Sequence, residues 1–253
     1  MQSIAAQTYE NFRVLAVNDA STDNTLDKLE EWRFKINMKI INLETNSMQG
    51  KARNEALKIA DADYIVFIDV DDWVEPNLLE HTSIADITMF GIYILEKPHG
   101  PAADKFVTIH NAQERKDTFL NNYTLRSCWD KIYRRETIEG LQFMEGCIDE
   151  EPLFTIPAYL RAESVKFITK PLYHYCPAAT GSTSKARDAE GNIKTWLSLY
   201  DEIKWYLDTP EYDFIKIMFQ KNFVDYSVML AKNRGTLVDR DKLQADMDKM
   251  FNK

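Results

Sequence analysis

The first hundred residues alternate short apolar segments with helical segments, and this alternation constrains the fold more than any other feature. The apolar segments, rich in β-branched and aromatic residues, are residues 12–17, 38–43 and 64–68. Between them, residues 22–32 and 47–60 carry apolar side chains at helical spacing. Nearly all-apolar strands that alternate with helices are typical of a parallel sheet covered on both sides. The sequence therefore predicts an α/β fold with a mostly parallel sheet flanked by helices.

The remaining sequence is less regular. Residues 85–95 and 105–109 predict further strands, while residues 111–121 and 150–160 have the spacing of helices. From residue 192 onward, aromatic side chains recur at helical spacing. A helical C-terminal segment is therefore predicted.

The composition excludes several classes of protein. A net charge of −9 argues against binding nucleic acid or anionic lipid through bulk electrostatics, since both need a basic surface. The cysteines, Cys128, Cys147 and Cys176, are odd in number and form no CxxC pair, so neither a zinc knuckle nor a disulfide framework is predicted. No apolar run is long enough to cross a bilayer, and the first residues lack the pattern of a signal peptide. We therefore expect a cytoplasmic protein with free thiols.

Acidic residues follow two of the three early strands. Asp19 follows the first strand, and the third runs directly into Asp69, Asp71 and Asp72 within residues 64–73, YIVFIDVDDW. Ligands of an open parallel sheet bind beyond the carboxyl ends of its strands. Asp69 and Asp71 are two positions apart, so on an extended backbone they face the same side, with Cα atoms roughly 7 Å apart. This spacing fits a Mg²⁺ or Mn²⁺ ion that bridges a carboxylate and the phosphates of a substrate.

Two other interpretations of these acids remain open. Asp71 and Asp72 also fit as caps of a helix that starts near Pro76. An apolar strand followed by Asp-x-Asp is typical of haloacid-dehalogenase phosphatases as well, in which the first acid, here Asp69, is the nucleophile. Those enzymes have Thr or Val four residues later, where this chain has Trp73. The metal–diphosphate interpretation is therefore favoured over the phosphatase.

Four stretches of the chain resemble the family-two glycosyltransferases, which have the Rossmann-like GT-A fold. Residues 7–32 (QTYENFRVLAVNDASTDNTLDKLEEW) and 49–80 (QGKARNEALKIADADYIVFIDVDDWVEPNLLE) are similar to the donor half of that family. Residues 128–154 (CWDKIYRRETIEGLQFMEGCIDEEPLF) and 171–184 (PLYHYCPAATGSTS) are similar to the acceptor half of its bacterial capsule and lipopolysaccharide members. Together these stretches cover most of residues 1–184, in the order of the family.

The resemblance implies a metal-dependent, inverting glycosyltransferase. Such an enzyme moves a sugar from a UDP-sugar to a glycan or lipid-linked acceptor in the synthesis of surface polysaccharides. Residues 1–110 would form the donor half and residues 111–190 the acceptor half of one GT-A domain, with residues 191–253 as a helical extension. Core packing is the favoured use of the aromatic side chains in that extension, which also fit contact with a membrane surface or a second copy of the chain.

The resemblance assigns four residues to the donor side. Asp19 matches the acid that reads the nucleobase of the UDP-sugar, and Arg53 matches an arginine near the nucleotide. Asp69 and Asp71 match the Asp-x-Asp pair, with Asp69 near the ribose and Asp71 on the Mn²⁺ or Mg²⁺ ion. Arg53 also fits a surface residue whose apolar stem packs along its helix.

The catalytic base of the family is the Asp of a Glu-Asp-x-x-Phe motif. When Phe154 is matched to the Phe of that motif, Glu150 takes the place of the Glu and Glu151 that of the Asp. Glu151 is therefore the favoured base, with Glu150 and Asp149 as alternatives. A glutamate can take a proton from an acceptor hydroxyl, although its extra methylene moves the carboxylate by more than about 1 Å.

The resemblance also assigns residues to the acceptor side and to the diphosphate. Trp129 and Lys131 would line the acceptor site, and core packing is the competing interpretation of Trp129. His174 and residues 181–185 match the region that closes over the diphosphate. A half-buried histidine in a short strand is the favoured interpretation of His174.

The chain departs from the family pattern at its first strand. Residue 1 matches a position within the helix that follows this strand, so the strand has no counterpart in the sequence. In the family it lies between the strands that match residues 13–17 and 64–68. Three explanations remain open: the full protein has residues that precede this sequence, another segment of the chain fills the place of the strand, or the chain keeps the fold without activity. A non-catalytic protein with the same fold, which binds a nucleotide-sugar or a protein partner, is the alternative function.

Overall fold

The computed structural model shows an α/β protein. It describes residues 1–82, 84–120, 127–146 and 150–177, together with the isolated residues 241 and 245. The predicted C-terminal helices, the candidate acid Asp149 and the loop 181–185 lie outside the described residues.

The strands and helices predicted for the first hundred residues are confirmed. Their observed ends lie within three residues of the predicted ends. The helices are α1 (Gln2–Ala5), α2 (Thr25–Arg33), α3 (Met48–Leu57), α4 (Ala112–Leu120) and α5 (Glu151–Arg161). The strands are β1 (Val14–Asn18), β2 (Met38–Asn42), β3 (Tyr64–Val66), β4 (Trp73–Val74), β5 (Ile87–Ile94), β6 (Lys97–His99), β7 (Lys105–Thr108), β8 (Lys131–Arg134) and β9 (Ser164–Tyr175). Short 3-10 helices occupy Leu78–His81 and Arg135–Ile138.

The described strands form two sheets. Strands β1 and β2 pair in parallel, with Val14 opposite Met38. The larger sheet has the order β3-β8-β5-β9-β4, with β6 paired to β5 and β7 paired to β9. Strands β3, β5 and β9 run in one direction, because β8 is antiparallel to both β3 and β5, and β5 is parallel to β9. The α/β class is therefore confirmed, and the sheet is mixed because β8 and the short strands run against the others.

Residues of β1 and β3 both line a groove of about 1120 Å³, which we call the central groove. Arg13, just before β1, binds Asp61, just before β3, at 2.5 Å, so the two strands start close together. Within the described ranges, β1 pairs only with β2, and β3 pairs only with β8. Each of these two strands therefore has one open edge among the described residues.

The core between the larger sheet and α5 fixes the position of the site. Phe154 of α5 packs edge-on against Phe67 and Tyr133 and stacks on Phe143 at 4.1 Å between ring centroids. Residues 152–160 of α5 are all buried, including Pro157. Because α5 is held along almost its whole length, its first residues, which carry two carboxylates, have a fixed place at the end of the central groove.

Candidate functional site

The predicted donor-side acids lie at one end of the central groove, where β1 and β3 finish. Asp19 follows β1, and its Oδ1 accepts a hydrogen bond from the backbone N–H of Ser47 at 2.7 Å, immediately before α3. Asp69 follows β3, and its backbone N–H donates to the hydroxyl of Tyr173 at 3.1 Å. Both acids line the groove. The acid that was expected to read the nucleobase thus also ties the start of α3 to the end of β1.

Arg53 joins three of the predicted site carboxylates. Its Nη2 lies 2.7 Å from Asp69 Oδ1 and 4.0 Å from Glu151 Oε1, and its Nη1 donates to Glu150 Oε1. The guanidinium side chain is 11% exposed and lies over the ring of Phe143. Burial acts to lower the pKa of Arg53, but the surrounding acidic groups hold it well above its ordinary value. The alternative of a surface arginine is therefore wrong.

Asp71 and Asp72 have different surroundings. Asp72 accepts hydrogen bonds from the Tyr173 hydroxyl at 2.6 Å and from the Cys176 backbone N–H at 2.8 Å. Burial, followed by the charges of its acidic neighbours, raises the pKa of Asp72 to about 6. The expectation that Asp72 caps a helix is wrong, because its carboxylate instead anchors β9. Asp71 is exposed, and within the described residues its carboxylate has no hydrogen-bond donor.

The arrangement of Asp69 and Asp71 fits a divalent ion that takes most of its ligands from a substrate. No group of three or more His, Cys, Asp or Glu side chains in the described ranges could hold a metal by itself. Mg²⁺ usually binds one or two carboxylates and fills its remaining positions with water and phosphate oxygens. Asp69 Oδ1 is bound to Arg53, whereas the carboxylate of Asp71 is open to a ligand. Asp71 is thus the residue that would hold the ion.

Glu150 and Glu151, at the start of α5, differ in accessibility. Both oxygens of Glu150 accept hydrogen bonds, one from Arg53 and the other from Gln49 Nε2 at 3.0 Å, and its side chain is 2% exposed. Burial raises the pKa of Glu150 to about 7, against the lowering effect of Arg53. Glu151 is 24% exposed and lines the central groove. Of the two, Glu151 is the carboxylate that a substrate hydroxyl can reach.

The two residues predicted for the acceptor side have separate places. Trp129 lines the groove and stacks on Tyr173 and Tyr175, with ring centroids 4.9 and 5.4 Å away. Lys131 is 1% exposed, and its ammonium donates to Asp130 and to the carbonyl of Ser127. The side chain of Lys131 therefore lies behind the groove, and the geometry does not favour its direct contact with an acceptor.

His174 has a structural position. Its Nε2 lies 2.7 Å from Glu75 Oε1, and its ring is stacked between the rings of Trp73 and Tyr93. These contacts agree with a structural role in a strand, although the residue is buried at 6% exposure and not half-buried as expected.

Sequence reasoning missed Gln49, Tyr173 and Cys128 as parts of the site. Gln49 binds Glu150, Tyr173 binds both Asp72 and the backbone of Asp69, and Cys128 binds Glu151. Each contact joins residues about 20 to 105 positions apart, so no local pattern could have indicated it.

Comparison with known proteins decides the family. Residues 1–83 match the model of glycosyl transferase family 2. The chain belongs to glycosyl transferase family 2. This stretch carries β1 to β4 and the acids at the ends of β1 and β3.

Two relatives extend this likeness beyond the matched stretch. TarS of Staphylococcus aureus, a poly(ribitol-phosphate) beta-N-acetylglucosaminyltransferase, is 33% identical over 199 residues, which are 72% of this chain and 33% of TarS. EpsH of Bacillus subtilis, a putative glycosyltransferase, is 31% identical over 69% of this chain and 55% of EpsH. The chain thus spans about a third of TarS and about half of EpsH.

A solved structure confirms the GT-A fold. The crystal structure of residues 1–349 of S. aureus TarS in complex with UDP-GlcNAc superposes with a TM-score of 0.77 and 26% sequence identity. The superposition covers 99% of this chain and 75% of the TarS chain.

None of the helices in the described ranges is both long and apolar enough to span a bilayer.

Proposed function

We propose that the protein is a metal-dependent, inverting glycosyltransferase that uses a UDP-sugar. The observation that carries the proposal is the position of Arg53, which joins Asp69 at the end of β3 to the two glutamates at the start of α5. A donor-side acid and a candidate base thus meet at one end of the central groove. This is the arrangement that a direct transfer between two bound substrates needs.

The donor would lie across the ends of β1 and β3. Asp19 Oδ2 and the adjoining backbone would contact the nucleobase, and Asp69 would contact the ribose. Arg53 already binds Asp69, so it would orient that carboxylate and add positive charge beside the nucleotide. Asp71 would hold Mn²⁺ or Mg²⁺, which when bound neutralises the diphosphate leaving group.

Glu151 would act as the base. It lines the groove and is partly exposed, whereas Glu150 has both oxygens bound. A carboxylate on the acceptor side of the sugar can take the proton of an acceptor hydroxyl as that oxygen attacks the anomeric carbon. Attack from the face opposite the leaving diphosphate inverts the configuration at that carbon.

The likeness to TarS supports a narrower choice of substrates. TarS is a poly(ribitol-phosphate) beta-N-acetylglucosaminyltransferase, and its structure was solved with UDP-GlcNAc. We therefore propose UDP-GlcNAc as the first donor to test and a polyol-phosphate or glycan polymer of the cell surface as the acceptor. Because nucleotide-sugars are made in the cytoplasm, the enzyme would work there.

A transfer assay tests this function. Radiolabelled UDP-GlcNAc, UDP-glucose and UDP-galactose are each incubated with the protein, Mn²⁺ and a poly(ribitol-phosphate) acceptor, and the labelled polymer is counted. We expect incorporation from one donor, loss of incorporation with EDTA, and a product of inverted configuration by NMR. Incorporation that is unchanged by EDTA would contradict metal dependence, and a retained configuration would contradict the inverting mechanism.

A second candidate is a non-catalytic nucleotide-sugar-binding protein with the same fold. Glu151 stands where the family has an aspartate, and its extra methylene moves the carboxylate by more than about 1 Å from the place of the family's base. This candidate predicts binding of UDP-GlcNAc without incorporation into any acceptor and without hydrolysis of the donor. The same assay, combined with a binding measurement, separates the two.

A further inference from the structure

The carboxylate of Glu151 is held through one of its two oxygens. Its Oε1 accepts hydrogen bonds from the backbone N–H of Cys128 at 3.1 Å and from the Cys128 thiol at 3.0 Å. Arg53 Nη2 lies 4.0 Å from the same oxygen. All the described donors thus approach Oε1, and among the described residues Oε2 has none. The side chain lines the central groove, so Oε2 is the oxygen available to a ligand.

The thiol of Cys128 has the properties of a permanent hydrogen-bond donor. It is completely buried, and burial raises the pKa of the thiol well above its ordinary value, although Arg53 acts to lower it. At neutral pH the thiol is therefore protonated and can donate to the carboxylate. A thiol in this state is inert as a nucleophile, which leaves its contact with Glu151 as the chemistry that it performs.

We propose that Cys128 is a positioning residue, which fixes Glu151 through Oε1 so that Oε2 takes the proton of the acceptor hydroxyl. The inference rests on the proposed function, since it concerns the base of that reaction. In the step, the O–H bond of the acceptor breaks and its proton moves to Oε2. The acceptor oxygen forms a bond to the anomeric carbon, and the bond from that carbon to the diphosphate breaks, with its electron pair leaving on UDP.

Rigid placement matters more for a glutamate than for a shorter acid. The side chain of Glu151 has one more rotatable bond than an aspartate, so without a fixed contact its carboxylate would sample more positions. Two hydrogen bonds from Cys128 fix the position of Oε1 and so limit the positions that the rest of the carboxylate can take. Reacting groups need this degree of placement, because a displacement of about 1 Å can cost on the order of a hundredfold in rate.

Several charged or titratable groups also face Glu151, and the test must leave them unaltered. Arg53 approaches from α3, Tyr133 from β8, Asp130 from the segment before β8, and Glu150 precedes it in the chain. The thiol of Cys128 can be altered without changing any of these charges.

The first part of the test measures kinetics in Cys128→Ala and Cys128→Ser. The serine variant keeps a donor and serves as the matched control for folding. Because a misplaced base slows the proton transfer without weakening donor binding, we expect kcat to fall roughly tenfold in Cys128→Ala, with the KM for the donor unchanged. Cys128→Ser should recover most of this loss.

The second part removes the base itself. If Cys128 acts through Glu151, Cys128→Ala should cause no further loss in a Glu151→Gln background. An equal loss in both backgrounds, with equal thermal midpoints, would show that Cys128 does not act through Glu151 and would overturn the inference.

The third part reads the contact without any transfer reaction. The position of the Glu151 carboxylate is determined in crystal structures of the unaltered protein and of Cys128→Ala. The inference predicts a carboxylate that is displaced or rotated away from residue 128 in Cys128→Ala, and an unchanged position would overturn it. Full transfer activity in Glu151→Gln would instead contradict the proposed base, whatever the crystal structures show, so the two failures can be told apart.

Discussion

Arg53 Nη2 and Asp69 Oδ1 lie 2.7 Å apart, which joins α3 to the end of β3 beneath the central groove. The other terminal nitrogen of the same guanidinium donates to the buried carboxylate of Glu150. One side chain therefore holds together elements from both halves of the family pattern. Changes at Arg53 should affect stability and ligand binding together.

Arg53→Gln should destabilise the protein strongly. It leaves the carboxylate of Glu150 buried without a charged partner, and the loss of one member of a buried ion pair typically costs about 3–5 kcal/mol. The double variant Arg53→Gln/Glu150→Gln should recover much of this loss, because the buried charge of Glu150 is then removed as well. Urea denaturation at pH 8 measures both. A double variant no more stable than Arg53→Gln would contradict the importance of this pair.

The ionisation of Glu150 should make stability depend on pH. The pKa of this carboxyl rises from 4.5 to about 7 in the folded protein, with burial as the main cause. The folded state thus keeps a proton that the unfolded chain releases, so this group lowers stability as the pH rises from about 4.5 to about 7. In Glu150→Gln, the urea midpoint should change less with pH over that range than it does in the unaltered protein. Glu139→Gln, at an exposed acid, is the control and should leave the slope unchanged.

Gly50 should be intolerant of a side chain because of its contact with the loop before α5. A Cβ at this position would lie 2.1 Å from the carbonyl oxygen of Met144. Gly50→Ala must push α3 away, which should cost about 1–3 kcal/mol or more. It should also displace Arg53, one helical turn further along, and weaken UDP binding. Gly146→Ala is the control, since its Cβ meets nothing within 4 Å and only its φ of +71° is strained.

Gly146→Ala should therefore lower the free energy of unfolding by about 1–2 kcal/mol without changing the Kd for UDP. Thermal denaturation and calorimetric titration measure the two quantities in both variants. Equal Kd values in Gly50→Ala and the unaltered protein would show that the position of α3 does not control the site.

Local periodicity is the reason that the first half of the fold could be predicted. Strands β1, β2 and β3 are apolar segments between helices with an evident apolar face, and both patterns can be recognised within about fifteen residues. Strand β6 is three residues long and pairs with β5, its neighbour in the chain. Strand β4 is two residues long and forms only because the distant strand β9 pairs with it, with Trp73 opposite His174. A sequence gives no local signal for such pairing.

The contacts within the site could be predicted only in part. The acids at the strand ends follow from the rule for open parallel sheets, and the resemblance supplied the match of Glu151. The bond between Arg53 and Glu150 joins residues 97 positions apart, and it converts a candidate surface arginine into the centre of the site. Lys131 shows the opposite case. Its motif placed it at the acceptor, whereas pairing with Asp130 buries its ammonium.

The most direct test of the account is a calorimetric titration of UDP with and without Mn²⁺. It is made on the unaltered protein, on Asp71→Asn and on Asp63→Asn, a control that removes an exposed carboxylate from the other end of the central groove. We predict binding that Mn²⁺ strengthens, a loss of roughly tenfold to a hundredfold in the Mn²⁺-dependent part for Asp71→Asn, and no change for Asp63→Asn. Absence of UDP binding would contradict the proposed donor. Binding that Mn²⁺ strengthens in Asp71→Asn as much as in the unaltered protein would contradict the proposed metal site.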